Sequence, residues 1–387
     1  MDIAQLLLSL FIILVAAKLF GEAAERMGQS AVIGELLGGV IIGSSVLGLV
    51  HESEILHHFA EIGAILLLFE IGVSSNLHEF IKVGIWSFLV ACVGVIFPFL
   101  LGYFVSLYFG LDSIHAIFVG AILTATSVGI TARVFSDLGK LHSQEAKIVL
   151  GAAVIDDVIG LGILAVVTKL VTTGSVSYMN IANITLLAVG FLAGALIIGV
   201  VSAPVIFRIV KEMKVRGILI VSAFCFCLLL AYISTIVGLA PIVGAFAAGL
   251  VLSVTDSKTH IEEQIKPVSD IFVPIFFVLM GMMVDVKVFN PFIAANIPIL
   301  QIAGGLIIAA IIGKVLSGFV VFQKGLNKLL IGVGMIPRGE VGLIFAGMGL
   351  TKNIISSSIY SAAVVVIIVT TFITPFMLKA LLKKKYD

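Results

Sequence analysis

Two adjacent acids, Asp156 and Asp157, stand in the middle of the apolar run VIDDVIG. Placing an Asp at the centre of a membrane helix costs about 2.5–3.5 kcal/mol on insertion scales. An acid kept in such a place is a functional candidate by default. Neighbouring helix positions point about 100° apart. The two carboxylates therefore do not form one clamp, and the spacing suits a division in which one faces a cavity and the other a neighbouring helix. A third charge, Lys314, sits inside the run LIIAAIIGKVLSGFV. An unpaired ammonium there either gives up its proton or finds a carboxylate, and Asp156 is the natural partner. Burial disfavours the charged form of acid and amine alike, so protons and a small cation compete for the same oxygens. A bare cation such as Na⁺ takes carboxylate, hydroxyl and carbonyl oxygens. Asp157, with Thr126 or Ser127 and exposed backbone carbonyls nearby, has all three kinds.

Those hydroxyls belong to TATSVGIT, Thr124 to Thr131, which interrupts an otherwise apolar stretch. A second interruption, IPRGEVG, runs from Ile336 to Gly342, where Pro337 removes a backbone donor and Gly339 loosens the chain. Both are expected to break a helix and turn backbone groups into a cavity. Arg338 and Glu340 in the second break, and Arg133 near the end of the first stretch, are expected to support the broken helices by neutralising half-helix ends or pairing with one another.

The elements that carry these residues follow from composition. Sixty per cent of the 387 residues are hydrophobic and 12 % charged, against about 25 % charged in soluble domains, and mean hydropathy is +1.26. Such a chain covers itself with lipid, and in lipid every backbone group must be satisfied within helices. The 39 glycines suit close helix contacts. Apolar runs long enough to span are expected at about 3–21, 31–49, 57–76, 84–109, 114–136, 145–168, 183–207, 217–236, 240–254, 266–284, 296–322, 328–350 and 355–378. This gives about thirteen transmembrane helices in an all-α polytopic membrane protein. The first run lacks a basic leader and a small-residue cleavage site, so it reads as a span and not as a removable signal peptide. With the N-terminus outside and the C-terminus inside, the inner loops hold most of the Lys and Arg, and the outer loops hold only Lys169, Lys287 and Lys352, as the positive-inside rule requires.

The chain also repeats itself. VIGELLGG, with Gly34 and Gly39, matches IVGAFAAG, with Gly244 and Gly249, at an offset of 210. Glu61-Ile62 and Gly72 match Asp270-Ile271 and Gly281 at 209, and Ser127-Val128-Gly129 matches Glu340-Val341-Gly342 at 213. The offset spans seven stretches, an odd number, so the second half is inserted upside down. Inverted repeats with discontinuous helices place a transporter's site near the bilayer midplane.

Other residues carry less. Net charge is +1, which implies no nucleic-acid partner. Cys92, Cys225 and Cys227 lie in apolar runs without metal-ligand or redox spacing and read as small hydrophobes. The seven histidines fall in loops or at span ends. Glu35 and Glu70 are expected to reach the interface along their stems. Two aspartates would also serve an intramembrane aspartyl protease, but on separate helices and in Tyr-Asp and Gly-x-Gly-Asp contexts that do not occur here, so no enzyme is expected. A membrane sensor that merely binds an ion is the other competing class.

ATSVGITARV, LGAAVIDDVIGL, GLAPIVGAF and MIPRGEVGLI together resemble bacterial Na⁺/H⁺ antiporters of the monovalent cation:proton antiporter-2 family, NapA/GerN-like, over essentially the whole chain. The resemblance implies the NhaA-like antiporter fold and a homodimer, with the two discontinuous helices crossing. It implies a core domain at about 84–168 and 296–378, a dimerisation domain at about 1–76 and 217–284, and a linker helix at 183–207. It implies that Asp157 carries the cation and the proton, that Asp156 is its neighbour, and that Lys314 is the salt-bridge partner of Asp156, as in electrogenic members. The expected activity is exchange of cytoplasmic Na⁺, or Li⁺ or K⁺, for external protons across the cell membrane, with no cofactor. The alternative is a K⁺/H⁺ efflux antiporter. Its gated form usually has Gln-Asp at the pair and a soluble nucleotide-binding domain, whereas this sequence has Asp-Asp and ends at KKKYD.

Overall fold

A computed structural model describes residues 2–173, 178–294, 296–351 and 354–386. Of the basic residues that set the expected sidedness, Lys352 lies outside these, as do the side chains of Lys169, Lys383, Lys384 and Lys385.

Among the described residues the secondary structure is helical without strands. The helices are α1 (Ile3–Arg26), α2 (Ala31–Ile42), α3 (Glu54–Ser74), α4 (Leu77–Tyr108), α5 (Ser113–Ile122), α6 (Val128–Asp137), α7 (Gln144–Thr173), α8 (Tyr178–Glu212), α9 (Ile218–Ile236), α10 (Pro241–Leu252), α11 (Lys258–Met282), α12 (Asn296–Ser317), α13 (Lys328–Gly334), α14 (Glu340–Thr351) and α15 (Ser357–Tyr386). Eight are long and apolar enough to cross a bilayer, whereas α2, α5, α10 and the apolar part of α14 are shorter. Each expected interruption separates two short helices, α5 from α6 and α13 from α14.

Several ends differ from expectation for local reasons. The stretch 31–49 is helical only to Ile42, because Gly43 leaves the helix in an extended conformation and Gly48 turns with φ 62°. The helix expected from residue 84 begins at Leu77, where the Asn76 side chain accepts from the His78 amide and caps it. α1 runs on to Arg26, where Gly28, at φ 67°, lets the Gln29 amide reach the Ala24 carbonyl.

Packing repeats the sequence duplication atom by atom. The turn after α1 recurs after α9, where Gly238 has φ 86° and the Leu239 amide reaches the Ser234 carbonyl. Gly34 of α2 lies on the Phe20 carbonyl of α1, and Gly244 of α10 lies on the Leu230 carbonyl of α9. Gly39 meets Gly281 where α2 crosses α11, and Gly249 meets Gly72 where α10 crosses α3. All six glycines sit where an added Cβ would strike the partner's backbone, the small-residue contact of membrane helices.

The helices pack in two groups. α3 lies along α10 and α11, joined by α1, α2, α8 and α9, while α4 lies along α7 and α12, joined by α5, α13 and α15. Large apolar side chains such as Leu7, Phe11, Leu186, Ile198 and Val201 are exposed on α1 and α8. That surface suits acyl chains and not water.

Candidate functional site

The two breaks cross. The Ser127 amide donates to the Pro337 carbonyl at 2.7 Å, and the Thr131 hydroxyl to the Gly334 carbonyl at 2.7 Å. Gly339 permits this approach, because a Cβ there would stand 2.7 Å from Ser127 Oγ. Each break leaves the carbonyls at the end of its first half-helix without intrahelical partners, and two buried cations meet them. Lys314 Nζ donates to the Thr124 carbonyl at 2.6 Å. Arg338 donates to the Leu123 carbonyl at 2.6 Å through Nη2 and to the Ile336 carbonyl at 3.0 Å through Nη1. Positive charge at a helix C-terminus is stabilising, and one guanidinium here ties the ends of both half-helices. The Thr371 hydroxyl of α15 donates to the Arg338 carbonyl and fixes that turn.

α7 brings the acid pair to this crossing. Asp156 is 1 % exposed and Asp157 5 %. Asp156 Oδ2 lies 3.2 Å from Lys314 Nζ, and Lys314 is fully buried. The ammonium lies against Gly94 of α4, 3.7 Å from where a Cβ on that glycine would be. Asp157 is close enough to act on the Lys314 charge, as Arg338 is on Asp156. The Thr126 hydroxyl lies beside the Asp156 carboxyl but not in hydrogen-bonding geometry. Thr126 Oγ1, Ser127 Oγ and Asp156 Oδ1 are buried without hydrogen-bond partners. Buried oxygens usually have partners, so three left over around one carboxylate pair form a donor set with spare lone pairs. Among the described residues no three His, Cys, Asp or Glu side chains gather to hold a metal ion. A cation here would draw on hydroxyls and backbone carbonyls as well as carboxylates.

The structure thus brings together Asp156, Asp157, Thr126, Ser127, Lys314 and Arg338. Of the hydroxyls expected to join Asp157 around a cation, that of Thr126 stands by Asp156. Arg133 is not at the breaks. It lies in α6 with its Nε 2.9 Å from Asp137 Oδ1, and the spacing of four residues was the signal for that partner. The Glu340 side chain is outside the described residues. Glu35 does not reach the interface, being only 2 % exposed. Carbonyls at the breaks were expected in kind, but not that those of Leu123, Thr124 and Ile336 would be the acceptors, because a backbone group has no letter in the sequence.

Comparison with known proteins agrees with this geometry. A family model described as "Sodium/hydrogen exchanger, transmembrane" matches residues 8–384. The chain is 44 % identical to the high-affinity Na⁺/H⁺ antiporter NhaS3 of Synechocystis, over 98 % of this chain and 90 % of that protein. It is 36 % identical to the Na⁺/H⁺-K⁺ antiporter GerN of Bacillus cereus, over 95 % of this chain and 94 % of that one. The solved structure of the sodium proton antiporter MjNhaP1 from Methanocaldococcus jannaschii shares the fold, with a TM-score of 0.69 at 20 % identity over 97 % of both chains. A buried acid pair at the crossing of two broken helices, in a chain matched from end to end by that model, belongs to the sodium/hydrogen exchanger family.

Proposed function

We propose that this protein exchanges Na⁺ for protons, with Asp157 as the group that carries each in turn. The observation that carries the reading is a second buried carboxylate, Asp157, next to the Asp156–Lys314 pair at the crossing of the breaks. Asp156 and Lys314 form a buried ion pair, and Arg338 donates to the half-helix carbonyls. In this reading Asp157, buried beside that pair and close enough to act on the Lys314 charge, binds a proton and a Na⁺ ion in turn. Each meets its charge equally, and carrying both at once would leave an excess charge buried at high cost. Competition for one carboxylate is what couples the two fluxes. Thr126 and Ser127 supply neutral oxygens to the ion. When a cation draws on Asp156 as well, Lys314 loses its partner and can release a proton, which would make the exchange electrogenic.

In this reading access alternates by relative movement of the two groups of helices. The group of α4–α7 and α12–α15 carries the site and moves against the group of α1–α3 and α9–α11, with α8 as the link. The second group pairs two copies into a homodimer. The protein lies in the cell membrane with its N-terminus outside and its C-terminus in the cytoplasm. It works without a cofactor and catalyses no covalent chemistry. Exchange of K⁺ for protons is the second reading, favoured by the 36 % identity to a relative whose name includes K⁺.

Proteoliposomes with an imposed pH gradient test this, with Na⁺, Li⁺ and K⁺ added in turn to the parent and to Asp157→Asn. Dissipation by Na⁺ in the parent and none in the variant is expected. Dissipation by K⁺ alone would move the assignment to the second reading. A parent inert to every cation would refute exchange.

A further inference from the structure

We propose that Arg133 is a two-position latch between the helix groups, held by Asp137 in the conformation seen here and by Glu35 in the other. This rests on the alternating-access reading above. Arg133 and Asp137 lie on α6, which packs against α7 and α15 of the group that carries the ion site and against α2 and α3 across the seam. Across the seam, the Ser30 hydroxyl at the start of α2 donates to Asp137 Oδ2 at 2.5 Å, joining residues far apart in the chain. Glu35 on α2, Glu70 on α3 and Asp270 on α11 all lie close enough to act on the Arg133 charge. One guanidinium carried by one group therefore faces three carboxylates carried by the other.

The present arrangement is incompletely satisfied on both sides. Arg133 Nε lies near Asp137 but is not in hydrogen-bonding geometry. Glu35 is 2 % exposed, and its Oε2 has no hydrogen-bond partner. A buried carboxylate oxygen left bare is costly, and the guanidinium fork is the donor best matched to it. A shift of α6 along α2 would give up the Ser30–Asp137 bond and seat the guanidinium on Glu35. Each position then loses one charged contact and gains another. That near-balance is what a bistable element needs in order to switch.

Because Glu35 does not touch the ion, the latch predicts a split in the kinetics. In proteoliposomes, Glu35→Gln is expected to lower the maximal Na⁺/H⁺ exchange rate at least fivefold, with the KM for Na⁺ unchanged within twofold. A maximal rate equal to that of the parent would overturn the proposal, and so would a rise in KM that accounts for the whole loss. A second experiment joins Ser30→Cys to Asp137→Cys in a chain with Cys92, Cys225 and Cys227 replaced by Ala. Oxidation is expected to stop exchange at least tenfold, and reduction to restore it. Full exchange by the cross-linked protein would also overturn the latch. Glu35→Gln decides alone if the thiols do not pair. Exchange by the parent tests the exchanger reading separately, so the two can fail independently.

Discussion

At the scale of single residues, the energetics centre on Lys314 and Asp156, both buried and 3.2 Å apart. Removing one member of a buried ion pair costs about 3–5 kcal/mol, because the other charge is left unmet, whereas replacing both by uncharged groups is often neutral. Asp156→Asn should therefore lower the unfolding temperature in detergent markedly, and Asp156→Asn with Lys314→Met should recover most of the loss. A double variant no more stable than the single would show that the pair is not mutually compensating. Arg338→Met makes a related case, since it strands the Leu123 and Ile336 carbonyls at about 1–3 kcal/mol for each buried acceptor. The charged residues were legible in the sequence because apolar runs make them conspicuous. Their acceptors were not, since the Thr124 carbonyl becomes a ligand only when α5 stops beside α12. Arg133 shows the opposite failure: Asp137 stood four residues away, yet the breaks drew the assignment.

At the scale of elements, the two broken helices were readable from Pro337, Gly339 and a cluster of hydroxyls, and the repeat from the constant glycine offset. What the sequence could not show is that Gly39 meets Gly281 and Gly249 meets Gly72, because a contact between halves depends on how the duplicate is inserted. The two crossings being equivalent, Gly39→Ala and Gly249→Ala should each destabilise by about 1–3 kcal/mol, the usual cost of overpacking, and by similar amounts. Gly84 of α4 has nothing within 4 Å of an added Cβ. Gly84→Ala should be neutral or stabilising by up to about 1 kcal/mol, since alanine is the better helix former. Thermal unfolding of the three variants in one detergent makes the comparison. A Gly249→Ala protein as stable as the parent beside a destabilised Gly39→Ala would break the equivalence.

At the scale of the whole molecule, the question is whether the two groups of helices move as bodies. The seam between them is mostly apolar on one side of the site, where Leu36, Met280 and Met283 face Leu343, Ile367 and Phe372 around a small gap. Apolar surfaces without directional bonds can slide with little change in energy, so resistance to movement falls to the few polar ties, such as Ser30 to Asp137. Spin labels can follow the motion at positions with room for them. Gly84 on α4 and Gly304 on α12 are both open and belong to one group, and Val221 is exposed on α9 in the other. The distance between labels at 84 and 304 should stay constant when Na⁺ replaces protons, and that between 221 and 304 should shift by several ångströms. Equal constancy of both distances under turnover would mean that the ion crosses without relative movement of the groups. The breaks themselves would then have to open and close around a stationary Asp157.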